Sequence, residues 1–207
     1  MVQILKNDLR KKIKTAALSE FKEKGYLHSS LRSIAKNSNI TASNIYHYYE
    51  NKEDLFFTVI YPAFDRINSF LKEHSNSTLD LEHLPDNNLI PYVTNRKHIV
   101  DTINDFADMF VEIYKNYKDE LLVLITRSKG FKYGHTHHVI IDWVQEIFFK
   151  KIQREPNEFM TDTDKKVYAK VMAASFVKGI IVLVEECKSE NQLKYIIQKH
   201  IQSYFLE

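Results

Sequence analysis

Four glycines, four prolines and one cysteine in 207 residues leave this chain few means of turning tightly or cross-linking itself. Scarce glycine and proline argue against a fold built on many tight turns, and long stretches without turn clusters favour an all-helical protein. A lone cysteine, Cys187, excludes an intramolecular disulfide framework and fits a reducing compartment. No apolar N-terminal run has the form of a secretory signal, and no apolar run approaches the ~18–20 residues that span a bilayer. A cytoplasmic protein that makes no use of a membrane is the expectation. Also missing are a Gly-rich phosphate loop, a nucleophile elbow, a His-Glu-x-x-His pair and any defensible triad, so an enzyme is the weakest reading.

What the chain does carry is unevenly distributed. Its net charge of +2 hides an asymmetry. Residues 1–55 hold ten Lys/Arg against six Asp/Glu, a net +4, and the remainder is net −2. Lys6, Arg10, Lys11, Lys12 and Lys14 cluster near the start, where they could track a phosphate backbone. Taken alone, such a cluster is an ordinary solvated helix face. The thirteen phenylalanines and twelve tyrosines supply ample core.

Residues 30–54 read as two short helices joined by a tight turn. Ser30 is placed to cap the first, whose inward face carries Leu31, Ile34 and Ala35. Asn39 tolerates the left-handed backbone of a three- or four-residue turn, and Ile40 can plug the gap between the helices. Thr41 is a good N-cap for the second helix, with Ile45 and Tyr49 as its inward stripe. Ala42, Ser43, Asn44, Tyr46, His47 and Tyr48 are then left outside. An ordinary surface helix would carry Lys and Glu there. Short side chains instead permit close approach to a DNA groove; Asn44 can meet a base edge, and the tyrosines and His47 can reach phosphates. Arg32 could reach a guanine, and Lys52, just after the cap residue Asn51, is placed as a phosphate clamp. The bland alternative is a small helical hairpin packed on a core.

These positions carry a resemblance. Residues 9–57 resemble the DNA-binding domain of the TetR/AcrR family of bacterial transcription regulators. Gly25-Tyr26 matches the Gly-aromatic pair that ends the family's first helix, and Ser29-Ser30-Leu31-Arg32-Ser33-Ile34-Ala35 matches its Ser/Thr-rich opening of the second. Its recognition-helix pattern is matched from Ile40 through Thr41, Ser43, Ile45, Tyr46, Tyr48, Tyr49 and Lys52 to Leu55. Two positions depart: Asn39 stands where glycine is usual, and Ala42-Ser43 where the family has Lys-Gly. The family's base contacts therefore do not transfer. The resemblance implies an all-α protein, with a helix-turn-helix domain over 1–55 and a helical effector-binding and dimerisation domain over 56–207.

Periodicity predicts helices over 7–24, 96–116, 118–129, 136–154, from Thr161 or Thr163 to about Cys187, and over 190–205. The helix beginning near Asn51 is expected to kink or end near Tyr61, because Pro62 follows. Residues 73–95 read as the longest loop. Residues 171–184 are apolar on nearly every face, and a helix apolar all round is buried on all sides. A second subunit could supply that burial, forming a two-fold four-helix bundle in which Ala173, Ala174, Ser175 and Gly179 allow close approach. The interface residues expected are Ala173, Phe176, Ile180, Leu193, Ile197 and Ile201. Burial inside one large monomeric core is the alternative.

Residues 96–154 are rich in aromatics. In the look-alike family this region holds a pocket whose ligand moves the fourth helix and releases DNA, so Phe106, Phe110, Tyr114 and Trp143 are the expected lining. An apolar or aromatic effector suits them, a cationic one if Asp105, Asp108 or Asp142 faces inward. Plain core is the alternative for each ring. His135, His138 and Asp142, near His137, have spacings that could hold a metal or haem iron, although surface histidines are the commoner explanation and no cofactor or metal is expected. Function thus reads first as a homodimeric, ligand-released repressor that binds a palindromic double-stranded DNA operator. A metal- or haem-responsive protein and a DNA-binding structural factor without an effector are the alternatives.

Overall fold

The computed structural model describes residues 2–75, 96–131, 136–154 and 159–205. Among them the elements are α1 (Val2–His28), α2 (Leu31–Asn37), α3 (Ala42–Ile45), α4 (Lys52–Ser75), α5 (Arg96–Thr126), α6 (Thr136–Arg154), α7 (Asp162–Glu186) and α8 (Glu190–Phe205). No strand occurs among the described residues.

Local chemistry explains most of the boundaries. Gly25 interrupts α1 at φ 70°, ψ 170°, leaving one further turn to His28. Ser30 caps α2 by accepting from the Ser33 N–H, and Thr41 caps α3 by accepting from the Asn44 N–H. Asn51 Oδ1 accepts from the Asp54 N–H at 2.9 Å at the start of α4. Thr161 and Asp164 cap each other reciprocally at the start of α7. At the start of α8, Ser189 Oγ accepts from the Gln192 N–H at 3.2 Å and Gln192 Oε1 accepts from the Lys188 N–H at 2.9 Å. Pro62 does not end α4, which continues to Ser75 without the expected break. Tyr117 does interrupt α5, at φ −144°, ψ 27°, where the sequence predicts a gap between two helices.

The chain divides into two compact units, Met1–Asp65 with Tyr117–His135, and Arg66–Asn116 with Thr136–Glu207. The compact units divide at 65/66, ten residues beyond the expected domain boundary at 55/56, and a later segment returns to the first unit. The reason is aromatic. Phe131 packs 4.7 Å from Phe56 and 5.4 Å from Tyr26, ring centroid to centroid. Phe21 stands edge-on to Phe56 at 4.8 Å. Around them Ile13, Ala17, Ile34, Ile45, Leu55, Ile60, Leu121 and Leu124 are fully buried. The Tyr26 N–H also donates to the Arg127 carbonyl at 2.8 Å, and Lys22 pairs with Asp119 at 2.7 Å.

In the second unit α7 lies between α6 and α8. Its Ala169, Ala173, Phe176, Val177, Ile180, Ile181 and Val184 are buried. From α8, Leu193, Ile197 and Ile201 are buried as well. By length and composition α7 could cross a bilayer, although the sequence shows no uninterrupted apolar run of that length. Lys178 divides its apolar stretch, and one full stripe of the helix is core.

These placements correct the expected interface. Ala173, Phe176, Ile180, Leu193, Ile197 and Ile201 all lie within a single protomer's own core. Because α7 is apolar nearly all round, sequence alone does not say which stripe faces inward. The stripe left outside includes Val167, Val171, Ala174, Ser175 and Val182, with Val167 60 % and Val171 57 % exposed.

Candidate nucleic-acid interface

Short-range hydrogen bonding builds the helix-turn-helix. Ser38 Oγ donates to the Ile34 carbonyl at 2.8 Å, and the Ile40 N–H donates to the Ala35 carbonyl at 3.0 Å. Asn39 between them adopts φ 57°, the left-handed conformation that asparagine tolerates better than most side chains. After Ile45 the chain tightens, as the N–H groups of Tyr48 and Tyr49 both reach the Ile45 carbonyl. The second helix is therefore a single regular turn extended by a tighter one.

The side chains sort as the pattern requires. Ile34, Ala35, Ile45 and Tyr49 are inside. Arg32, Thr41, Ser43, Asn44, Tyr46 and His47 are exposed, and Ala42 and Tyr48 are half-buried beside them. Tyr46 is 59 % exposed, a large aromatic ring in water with no packing reason to be there. One short polar-aromatic surface is thereby presented on a rigid apolar base.

Residues 13–59 match the family model described as bacterial regulatory proteins, tetR family. The N-terminal part of the chain is thus similar to the DNA-binding domain of that family. It is 26 % identical over 105 residues to IcaR of Staphylococcus epidermidis, named as a negative transcriptional regulator of the biofilm operon icaADBC. That stretch is 51 % of this chain and 53 % of the relative, so the match spans about half of that protein's length. Staphylococcus aureus IcaR is 29 % identical over 70 residues, 34 % of this chain and 38 % of the relative. A TetR-family regulator from Bordetella parapertussis shares the fold with a TM-score of 0.60 at 16 % identity, covering 95 % of this chain and 93 % of that one.

Two features of this domain escape a sequence pattern. Glu20 of α1 is 2 % exposed, a buried carboxylate beneath the reader. It accepts from Ser33 Oγ at 2.8 Å, from the Ser30 N–H at 3.3 Å and from Lys24 Nζ at 3.0 and 3.1 Å. Burial pushes its carboxyl up, but the bonds from Ser33, Lys24 and Ser30 outweigh that and hold it below the ordinary carboxylate value. The only available signal was the recurrence of Ser30 and Ser33 ten and thirteen residues on. Tyr49 is the second. Its ring is buried 5.9 Å from the Arg10 guanidinium, and its hydroxyl makes no well-formed hydrogen bond. Burial raises the Tyr49 hydroxyl pKa, with the nearby Arg10 charge opposing.

Lys52 departs from its expected role. Its ammonium donates to the carbonyls of Tyr26 at 2.7 Å, Ser29 at 3.1 Å and Leu27 at 3.4 Å. It also stands 4.4 Å from the Tyr26 ring centroid. Burial lowers the pKa of the amine. A phosphate clamp would present that group outward, whereas this one is turned onto the protein's own backbone.

The expected effector residues fall in the second unit. Phe106 and Phe110 lie on one face of α5, with ring centroids 4.8 Å apart. Phe106 is also 5.7 Å from Phe70 and 6.3 Å from Phe176. Tyr114 donates its hydroxyl to the Cys187 carbonyl at 2.6 Å. Phe148 of α6, with His200 and Tyr204 of α8, extends the same aromatic group around Phe176. Asp105, Asp108 and Asp142 are exposed, and Asp108 pairs with Lys194, so they are not arranged as interior partners for a cation. The side chains of Trp143, His137 and His138, and the whole of His135, lie outside the described residues.

Proposed function

We propose that this chain is a TetR-family regulator, a cytoplasmic homodimeric repressor released from DNA by a small molecule. The observation that carries the reading is the exposed row Thr41, Ser43, Asn44, Tyr46 and His47 over a base of Ile34, Ile45 and Tyr49. Ala42 and Ser43 are small enough to let the helix backbone approach base edges. Asn44 has the donor and acceptor pair that suits adenine, and Arg32 has the fork that suits guanine. Tyr46, Tyr48 and His47 offer hydrogen bonds to phosphate oxygens, which set register without reading sequence. The negative regulation named for IcaR supports repression as the sign.

One reader of this size covers few base pairs. Two-fold pairing over half-sites about 34–36 Å apart is the usual remedy. The stripe of Val167, Val171, Ala174, Ser175 and Val182 on α7, interrupted by the exposed Lys178, is the surface we assign to that pairing, because it is otherwise rich in small and apolar side chains, helical in spacing and left uncovered in one protomer. Phe106, Phe110, Tyr114 and Trp143 are the residues we assign to an apolar or aromatic effector. Effector binding would act by favouring a state in which the two readers no longer fit successive major grooves.

The test is Tyr46→Ala in a DNA-binding titration against a selected operator. Because Tyr46 is mostly exposed, melting should be nearly unchanged while affinity falls by roughly tenfold or more. Unchanged affinity would remove this surface as the reader.

A further inference from the structure

Lys52 opens α4, and a cation in the first turn of a helix opposes the helix dipole. Glu53 and Asp54 beside it have the sign that position favours. The lysine is accommodated there because its ammonium meets the carbonyl end of a different helix. Tyr26 and Leu27 belong to the last turn of α1, and Ser29 immediately precedes the α2 cap. Carbonyls at a helix end lack intrahelical partners and attract a cation. Three of them, with the Tyr26 ring alongside, form a cup around one ammonium.

The sequence positions give that cup its significance. Between Ser29 and Lys52 lies the entire helix-turn-helix, α2, the Asn39 turn and α3. The bond from Lys52 Nζ to the Ser29 carbonyl, 3.1 Å, joins the residue before the reader to the residue after it. Without that bond, the two ends of the 29–52 segment are joined through the base by packing alone.

We propose that Lys52 is a positioning residue, a clasp that closes the base of the helix-turn-helix and sets the orientation in which α3 is presented, and that it is not a phosphate ligand. This rests on the DNA-binding reading for its consequence, though not for the clasp itself. The geometry makes the clasp specific to an ammonium. Three donors on a compact head fit three converging carbonyls, whereas a guanidinium is planar and wider. The charge of Lys52 is already satisfied by protein, so binding DNA through it would require leaving the cup.

The experiment uses the full chain with Lys52→Met and Lys52→Arg, measured well below their melting temperatures. Operator affinity is titrated over a series of salt concentrations, and hydrogen exchange is followed at the Ile34 and Ala35 amides. For Lys52→Met the clasp predicts faster exchange in α2. Operator affinity falls on the order of tenfold, affinity for random DNA is little changed, and the slope of log affinity against log salt stays the same. Lys52→Arg, which keeps the charge, should show the same losses, and it serves if the methionine variant does not fold. A phosphate ligand predicts the opposite pattern: the slope falls by about 0.9 for each protomer, about 1.8 for the bound dimer, exchange is unchanged, and arginine restores binding. That pattern, or variants that match the parent in both measurements, would overturn the clasp. Lack of operator binding by the parent chain would sink the DNA-binding reading instead, and exchange would still decide the clasp.

Discussion

Glu20→Gln removes one charge from the base of the reader and keeps its shape. Three donors converge on that carboxylate, and they are unequal. Lys24 is 40 % exposed, so its ion pair contributes little. Ser33 Oγ at 2.8 Å is a strong charge-assisted donor, and the Ser30 N–H at 3.3 Å is a weaker one. Hydrogen bonds to an ionised group are worth about 1.5–3 kcal/mol each, and a glutamine oxygen keeps part of one. The expected loss is about 2 kcal/mol, which in a chain of this length lowers the melting temperature by roughly 4–8 °C. Acid dependence supplies a second check. The folded-state pKa of Glu20 lies below the ordinary value of 4.5. Its stabilisation is therefore complete above that value and disappears as pH falls through the lower, folded one. Thermal melts followed by circular dichroism should show the full gap between parent and variant near pH 7. The gap should close as pH falls below the ordinary carboxylate range. Equal melting at neutral pH, or a gap that acid leaves unchanged, would refute the role assigned to this carboxylate.

Gly179→Ala would place a methyl group 2.4 Å from His200 Cε1, so the imidazole must leave its stacked position on Phe176. The expected cost is about 1–3 kcal/mol, largely recovered in the double variant with His200→Ala; purely additive losses would argue against the clash. Tyr49→Phe removes a buried hydroxyl whose nearby donor, Arg10, is not in good hydrogen-bonding geometry, so stability should hold or rise slightly. A loss above about 1 kcal/mol in chemical denaturation would mean that Arg10 bonds it after all. Val171→Glu puts a charge on the open α7 stripe without touching the protomer core, and sedimentation should show a shift from dimer to monomer with the melting of the monomer unaltered. A dimer of unchanged affinity would move the pairing surface elsewhere.

Legibility in the sequence followed the range of the interactions involved. Ser30, Thr41, Asn51 and Thr161 act on N–H groups three residues away, and each was readable as a cap. The inward stripe of Ile34, Ala35, Ile45 and Tyr49 was readable for the same reason, and with it the outward row of the reader. Phe131 was not, because its partners Tyr26 and Phe56 are far away along the chain. The residue type and place of Lys52 fit a phosphate contact, while the carbonyls that hold it carry no mark in sequence. On α7 the pattern was uninformative by nature. A helix apolar on every face shows that it is covered, but its neighbours α6 and α8 decide which stripe meets which partner.

The most direct test of the account is selection from random duplex DNA by the purified full chain at two salt concentrations. The account predicts a consensus of two inverted half-sites about one helical turn apart, bound by two chains and weakened steeply by salt. Binding without a consensus, or no binding at either concentration, would contradict it.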